Sequence, residues 1–199
     1  MKILSTILLF SLSLSPKMGF SQTEELKQKL TAFASDHEAD YEKKYLNIAD
    51  RELGSIDDSD YEWKDKFMLK SNKKKESDLG RKSYHKFYFS FYAYETFEDR
   101  QYALKDWMSD FIEGQSIRAG RTVKKYEYAT PTIILINKTE IMICNYNCSI
   151  YSEENFKYWR KTLLKYFQTD DTMVIEIGCE GPLEWTKNAP DPKNRKVMP

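Results

Sequence analysis

Tyr84-His85-Lys86-Phe87-Tyr88-Phe89-Ser90-Phe91-Tyr92-Ala93-Tyr94-Glu95 is the stretch from which the rest of this chain is best read. Side chains of a β-strand alternate between two faces, so Phe87, Phe89, Phe91 and Ala93 fall on one side and Tyr88, Ser90, Tyr92 and Tyr94 on the other. Both sides are aromatic. The stretch therefore predicts a strand inside a sheet, with a helix packed on its Phe face.

That helix is expected to begin at Thr96. Asp99 sits in the capping-box position, and Glu98 and Asp99 put negative charge at the positive helix end. Ala103, Leu104, Trp107, Met108, Phe111 and Ile112 then recur at helical spacing, and Gly114 supplies a stop. After Pro131, two β-rich runs, Thr132 to Ile136 and Glu140 to Cys144, flank Asn137-Lys138-Thr139 and predict a hairpin. Ser152, Glu153 and Glu154 open a second helix that carries Phe156, Trp159, Leu163, Tyr166 and Phe167 along one side. Met173 to Cys179 reads as a last strand, closed by Gly181 and Pro182.

The element order β-α-β-β-α-β is that of ferredoxin-like folds. The expected class is α+β: a four-stranded antiparallel sheet with two helices on one face, preceded by a helical N-terminal segment. Leu26, Leu30, Phe33, His37, Tyr41, Tyr45 and Ile48 keep helical spacing from Thr23 to about Leu53, and a shorter helix is expected from Ser59 to Leu69. The boundaries that follow are 1–21 for a leader, 22–82 for the helical segment and its polar linker, 83–181 for the α/β domain and 182–199 for an extended or disordered tail.

Residues 1–21 read as a secretory signal peptide. Lys2 is followed by an apolar run from Ile3 to Leu14, broken only by serines and Thr6, and Gly19 and Ser21 are small residues at the −3 and −1 positions before Gln22. Twelve residues are too few to span a bilayer, which takes about 20. The first cysteine, Cys144, is far from any lipid-attachment point. The expectation is a soluble secreted or periplasmic protein with no stable membrane insertion after cleavage. Loss of Lys2 and Lys17 turns a balanced chain of 31 basic and 31 acidic residues into one with a net charge of about −2. That balance argues against nucleic acid as a general partner, although Lys73-Lys74-Lys75 and the set Arg118, Arg121, Lys124 and Lys125 form short basic clusters. Both clusters read first as solvated loops.

Three cysteines, Cys144, Cys148 and Cys179, permit at most one internal bridge. The spacing of Cys144 and Cys148 matches neither a redox pair nor a zinc knuckle. With only His37 and His85, and acids at Asp57, Asp58, Asp60 and Glu62 that lack the register of a calcium loop, no metal site and no cofactor are expected. The motifs of nucleotide enzymes, zinc peptidases and common serine hydrolases do not occur. The candidate ligand surface is the Tyr face: Tyr88, Tyr92 and Tyr94, with Glu176 of the last strand expected on the same side, suited to an envelope protein, a peptide or a glycan. The competing reading is that the N-terminal helix covers those tyrosines as a second core, which would leave the loop ends, above all 115–128, as sites. Three functions remain: a noncatalytic binding or inhibitor module of the cell envelope, which leads; an envelope hydrolase of glycans or peptides working through carboxylates; and an assembly component that pairs through the second strand as a sheet edge.

Overall fold

The structure, a computed structural model, describes residues 22–46, 56, 59–76, 80, 82–112, 122–123, 130–179 and 183–187. Residues 1–21, read as a signal peptide, and the basic connection, apart from residues 122–123, lie outside them. So do residues 188–199 of the tail.

Among the described residues three α-helices and ten strands follow one another: α1 Gln22–Ser35, β1 Tyr41–Tyr45, β2 Trp63–Ser71, β3 Lys75–Glu76, β4 Lys82–Ser83, β5 Lys86–Ala93, α2 Phe97–Ile112, β6 Thr122–Val123, β7 Thr132–Ile136, β8 Glu140–Tyr146, α3 Glu153–Phe167, β9 Met173–Ile177 and β10 Leu183–Lys187. Eight of the strands form one sheet in the order β1-β2-β5-β8-β7-β9-β10-β6, and β3 and β4 pair separately. Each neighbouring pair in the large sheet runs antiparallel. The fold is α+β, as its sequence implies.

The alternation of β5 is realised in full. Phe87, Phe89, Phe91 and Ala93 join Phe67, Leu69, Ile133, Leu135, Met142, Cys144, Tyr146 and Val174 in one core, over which α1 lays Leu26, Leu30 and Phe33 and α3 lays Trp159, Leu163 and Phe167. On the other side Tyr92 and Tyr94 pack with Ile134, Ile136, Ile141, Ile143, Ile175 and Ile177 beneath Ala103 and Leu104 of α2. The sheet is thus a middle layer with two cores. Burying each large apolar side chain contributes roughly 1.5–3 kcal/mol.

The ferredoxin-like arrangement is replaced by a different one. Among the four strands that suggested it, the order is β5-β8-β7-β9, so β9 lies beside β7 and the other flank of β5 belongs to β2. The helices also divide between the faces: α2 packs on the tyrosine side instead of the Phe side, which α1 and α3 occupy. A strand aromatic on both faces declares that both are covered, but not by which helix. The caps themselves are as read. Thr96 Oγ1 accepts from the Asp99 N–H at 3.1 Å, and Ser152 Oγ accepts from the Asn155 N–H at 3.1 Å.

The described part of 22–82 contains α1 and the strands β1 to β3 and the start of β4, with Ile56 helical, where two helices and a linker were expected. After Ser35 the chain turns, with backbone bonds from His37 N–H to Ala34 O and from Tyr41 N–H to His37 O, before β1 begins. Phe33, His37 and Tyr41 still converge on Trp159, so inward side chains in a turn imitate a helical period. β2 replaces the helix expected from Ser59 to Leu69, because pairing with β1 and β5 along its length outweighs local preference. The 71–82 linker contains the β3–β4 hairpin, and the expected tail contributes β10, paired with β9 and β6. The strand proposed as a docking edge, β7, is interior; the sheet ends at β1 and β6.

Candidate functional site

The four residues expected to share a ligand face do not come together. Tyr92 is fully buried and Tyr94 nearly so, both beneath α2 and away from the N-terminal helix. The Tyr94 hydroxyl lies 3.1 Å from Ser59 Oγ, and the Tyr92 ring meets Tyr61 edge-on at 6.0 Å. Tyr88, opposite Met68 and Asn145, is half-buried. Glu176 stands opposite Ile133 on the Phe side, where Arg160 of α3 forms an ion pair with it, its Nε–H not aligned for a hydrogen bond. Burial pushes the Glu176 carboxyl above its ordinary range, against the pull of that guanidinium. The tyrosine face is a second core, and α2 fills it.

The cysteines divide as the count allows. Cys148 and Cys179 form a disulfide, their Cα atoms 5.5 Å apart, and Cys144 is a buried free thiol whose pKa burial drives well above the usual value. Asp57 and Asp58 lie outside the described residues, and Glu62 accepts a hydrogen bond from Thr23 Oγ1 at 2.8 Å. Among the described residues no three His, Cys, Asp or Glu side chains are grouped to hold a metal, and no helix is long and apolar enough to cross a membrane.

A different cluster emerges at the end of the Phe face where β1 starts and β2 and β8 finish. Tyr41 pairs with Ser71, whose N–H donates to His85 O at 2.8 Å; the His85 N–H in turn donates to Ser71 Oγ at 2.9 Å. Two positions further in, Phe87 lies opposite Tyr146. Around the Phe87 ring stand Trp159 at 4.7 Å, Tyr146 at 5.1 Å, Tyr41 at 5.9 Å and His85 at 6.3 Å between centroids. The unusual feature is polar. Tyr146 Oη, Trp159 Nε1 and both ring nitrogens of His85 are buried and find no hydrogen-bond partner among the described residues.

A buried polar atom without a partner costs about 1–3 kcal/mol, and native proteins carry few of them. Here three of the five residues with such atoms surround one ring. Of the others, Arg160 has its ion pair, and Arg100 lies on α2, where its Nε donates to Lys138 O at 3.2 Å. Burial, aided by the Lys75 charge, pulls the His85 imidazole below its ordinary value and favours the neutral ring. Burial raises the Tyr146 phenol strongly and, with help from Asp40, pushes Tyr41 up to about 12. The set therefore presents neutral chemistry: one N–H from Trp159, one O–H from Tyr146, and a donor and an acceptor from His85.

One lysine borders the cluster. Lys75 Nζ donates to Tyr41 Oη at 3.3 Å and sits 5.0 Å over that ring. On the opposite face of the same end, Tyr84, 41% exposed, lies under Lys70 at 4.4 Å and Lys74 at 5.8 Å. Lys75 and Lys82 lie on the paired strands β3 and β4, and between these Gly80 has φ 70°, a left-handed conformation that a side chain would strain. The sequence showed the lysine cluster and placed His85 at a strand start. It gave no sign of Tyr146 and Trp159 as polar groups, because losing a partner is a property of three dimensions.

The sequence matches no protein family, and neither curated proteins nor solved structures yield a match.

Proposed function

We propose that the mature chain is an exported, noncatalytic binding module of the cell envelope that engages its ligand at the His85–Phe87–Tyr146–Trp159 end of the sheet. The observation that carries this reading is the gathering of unpartnered buried polar atoms around Phe87. A site built to hydrogen-bond a ligand leaves such atoms unsatisfied in its absence. Export draws support from the signal-like residues 1–21 and from the Cys148–Cys179 bridge, which persists in oxidising compartments.

The carboxylate-hydrolase alternative fares less well on geometry. Asp65, Glu140 and Glu176 are the described carboxylates that burial pushes upward, and all three project toward the Phe side. The register sets Glu140 and Glu176 two strands and four residues apart, about 16 Å, beyond the 5–10 Å that glycosidic chemistry uses. Asp65 and Glu140 are two strands and two residues apart, about 12 Å. Each also has a partner, in Lys43, Asn137 and Arg160 respectively.

The test is affinity capture from an envelope extract with the oxidised mature chain as bait, in parallel with Tyr146→Phe and His85→Phe. The expected result is a species retained by the wild type and reduced by both substitutions. Equal retention by all three would remove this end of the sheet from consideration, and retention of nothing would defeat the binding reading.

A further inference from the structure

One edge of the sheet is complementary to itself. β1, Tyr41-Glu42-Lys43-Lys44-Tyr45, ends the strand order, and no strand among the described residues lies beyond it. Its neighbour β2 bonds the even positions: Leu46 N–H donates to Lys66 O at 3.1 Å, and Asp40 O accepts from Asn72 N–H at 2.8 Å. Backbone direction alternates along a strand, so Tyr41, Lys43 and Tyr45 turn their N–H and C=O groups away from β2. The Tyr41 N–H is taken by His37 O. The N–H and C=O of Lys43, the N–H of Tyr45 and the C=O of Tyr41 therefore face the edge.

We infer that β1 pairs antiparallel with β1 of a second copy of this chain, across a two-fold axis at Lys43, and so joins its eight-stranded sheet to that of the second copy. In this register Lys43 meets Lys43 and exchanges both backbone bonds with it, and each Tyr45 N–H donates to the Tyr41 carbonyl opposite. Glu42 of each copy stands opposite Lys44 of the other, and opposed unlike charges stabilise a sheet. A shift of two residues sets Glu42 against Glu42 or Lys44 against Lys44 instead. Lysine on an edge strand ordinarily discourages pairing. Here the Lys43 ammonium is drawn back over β2, 4.2 Å from the Phe67 ring centre and 3.9 Å from Asp65 Oδ2, so the central residues meet through backbone. Tyr45, 74% exposed in one copy, gains Tyr41 of the other as its neighbour on the Phe side. The Tyr41 ring lies 5.9 Å from Phe87 and 5.6 Å from Trp159, so Tyr45 of the second copy borders the proposed ligand end, although the pairing does not depend on that reading.

Analytical ultracentrifugation of the oxidised mature chain from about 1 μM to about 1 mM tests the pairing. Wild type should pass from monomer to dimer within that range, more readily at low salt, where exposed charges are less screened. Lys43→Pro removes an N–H that faces the edge and spares the bonds to β2; it should raise the dissociation constant about tenfold or more while the circular dichroism stays that of the wild type. Glu42→Lys opposes lysine to lysine across the axis, and Lys44→Glu opposes carboxylate to carboxylate. Both positions are exposed, so these variants should fold, and each alone should remain monomeric. Mixed in equal amounts they should form a heterodimer, because every opposed pair is then attractive. A wild type that stays monomeric throughout, a dimer indifferent to Lys43→Pro, or two folded charge variants that fail to combine would each overturn the inference.

Discussion

The two ends of the sheet treat buried polarity in opposite ways. At the β7–β8 turn, Asn137 spends its side chain completely: Nδ2 donates to Glu140 Oε2 at 2.7 Å and to Phe167 O at 3.0 Å, while Oδ1 accepts from Thr172 Oγ1 at 2.6 Å. Thr172 Oγ1 also accepts from the Thr169 N–H at 2.7 Å, which locks the exit of α3. At the opposite end Tyr146, Trp159 and His85 are also buried, and their ring polar atoms bond nothing among the described residues. Fully satisfied networks rigidify a core, and partly satisfied ones are costly. The Asn137 network is complete, whereas three residues around Phe87 leave polar atoms unbonded; on the binding reading proposed above, the first is structural and the second is left for a ligand.

The largest expected effect concerns how the second end is held. Cys148 follows β8 and Cys179 follows β9, so their bridge staples the sheet beside Tyr146. With a sequence separation of 31, loop-closure entropy assigns the bridge about 3.7 kcal/mol. Cys148→Ala with Cys179→Ala should lower unfolding free energy in urea by that order, and the reduced wild type should match the double variant. Hydrogen exchange should rise most at Tyr146 and Ile177, which would fail to happen if the staple merely restrains the unfolded chain evenly. At the structural end, Asn137→Ala strands the Glu140 carboxylate, Phe167 O and Thr172 Oγ1 together, and about 3 kcal/mol should be lost in the same measurement. A loss under about 1 kcal/mol would mean that water replaces the amide, and the contrast between the ends would weaken.

Much of this architecture was legible because period and capping act locally. The alternation at β5, the Thr96 and Ser152 caps and the hairpin around Asn137 each depend on residues within a few positions of one another. What failed to read was long-range. Phe33, His37 and Tyr41 keep a helical period across a turn, because each is drawn to Trp159, more than a hundred residues away. The side on which Glu176 emerges depends on β9 pairing with β7, and a strand pairing one position away reverses every side chain. For the site, Lys73-Lys74-Lys75 and His85 were visible as residues. Their relation to Tyr146 and Trp159 is created by β8 and α3 meeting over Phe87, which no spacing in the sequence encodes.

Tyr146→Phe separates a core tyrosine from a ligand group. Removing an orphan hydroxyl while keeping the ring should leave stability unchanged or raise it by up to about 1 kcal/mol, while ligand retention falls. If the hydroxyl instead bonds ordered water, stability drops and the orphan end resembles the Asn137 end.

The smallest effect has opposite signs at the two ends. Burial raises the Glu140 pKa above 4.5, so the folded state holds that proton more tightly than the unfolded one. Its contribution is fully present below 4.5 and is lost as pH climbs through the raised value. Burial and Lys75 lower the His85 pKa below 6.5, so the folded state resists that proton, and stability is lost as pH falls from 6.5 through the depressed value. Urea unfolding across about pH 4 to 7.5 should therefore show Glu140→Gln, which retains an acceptor for Asn137, removing a component that favours acid. His85→Phe should remove one that disfavours it. Ligand present at saturation should alter the His85 component and leave the Glu140 component in place, because only the former lies at the end where the bonds are unmade. Equal changes in both would mean that the ligand acts on the whole sheet, and the division between a finished end and an unfinished one would not hold.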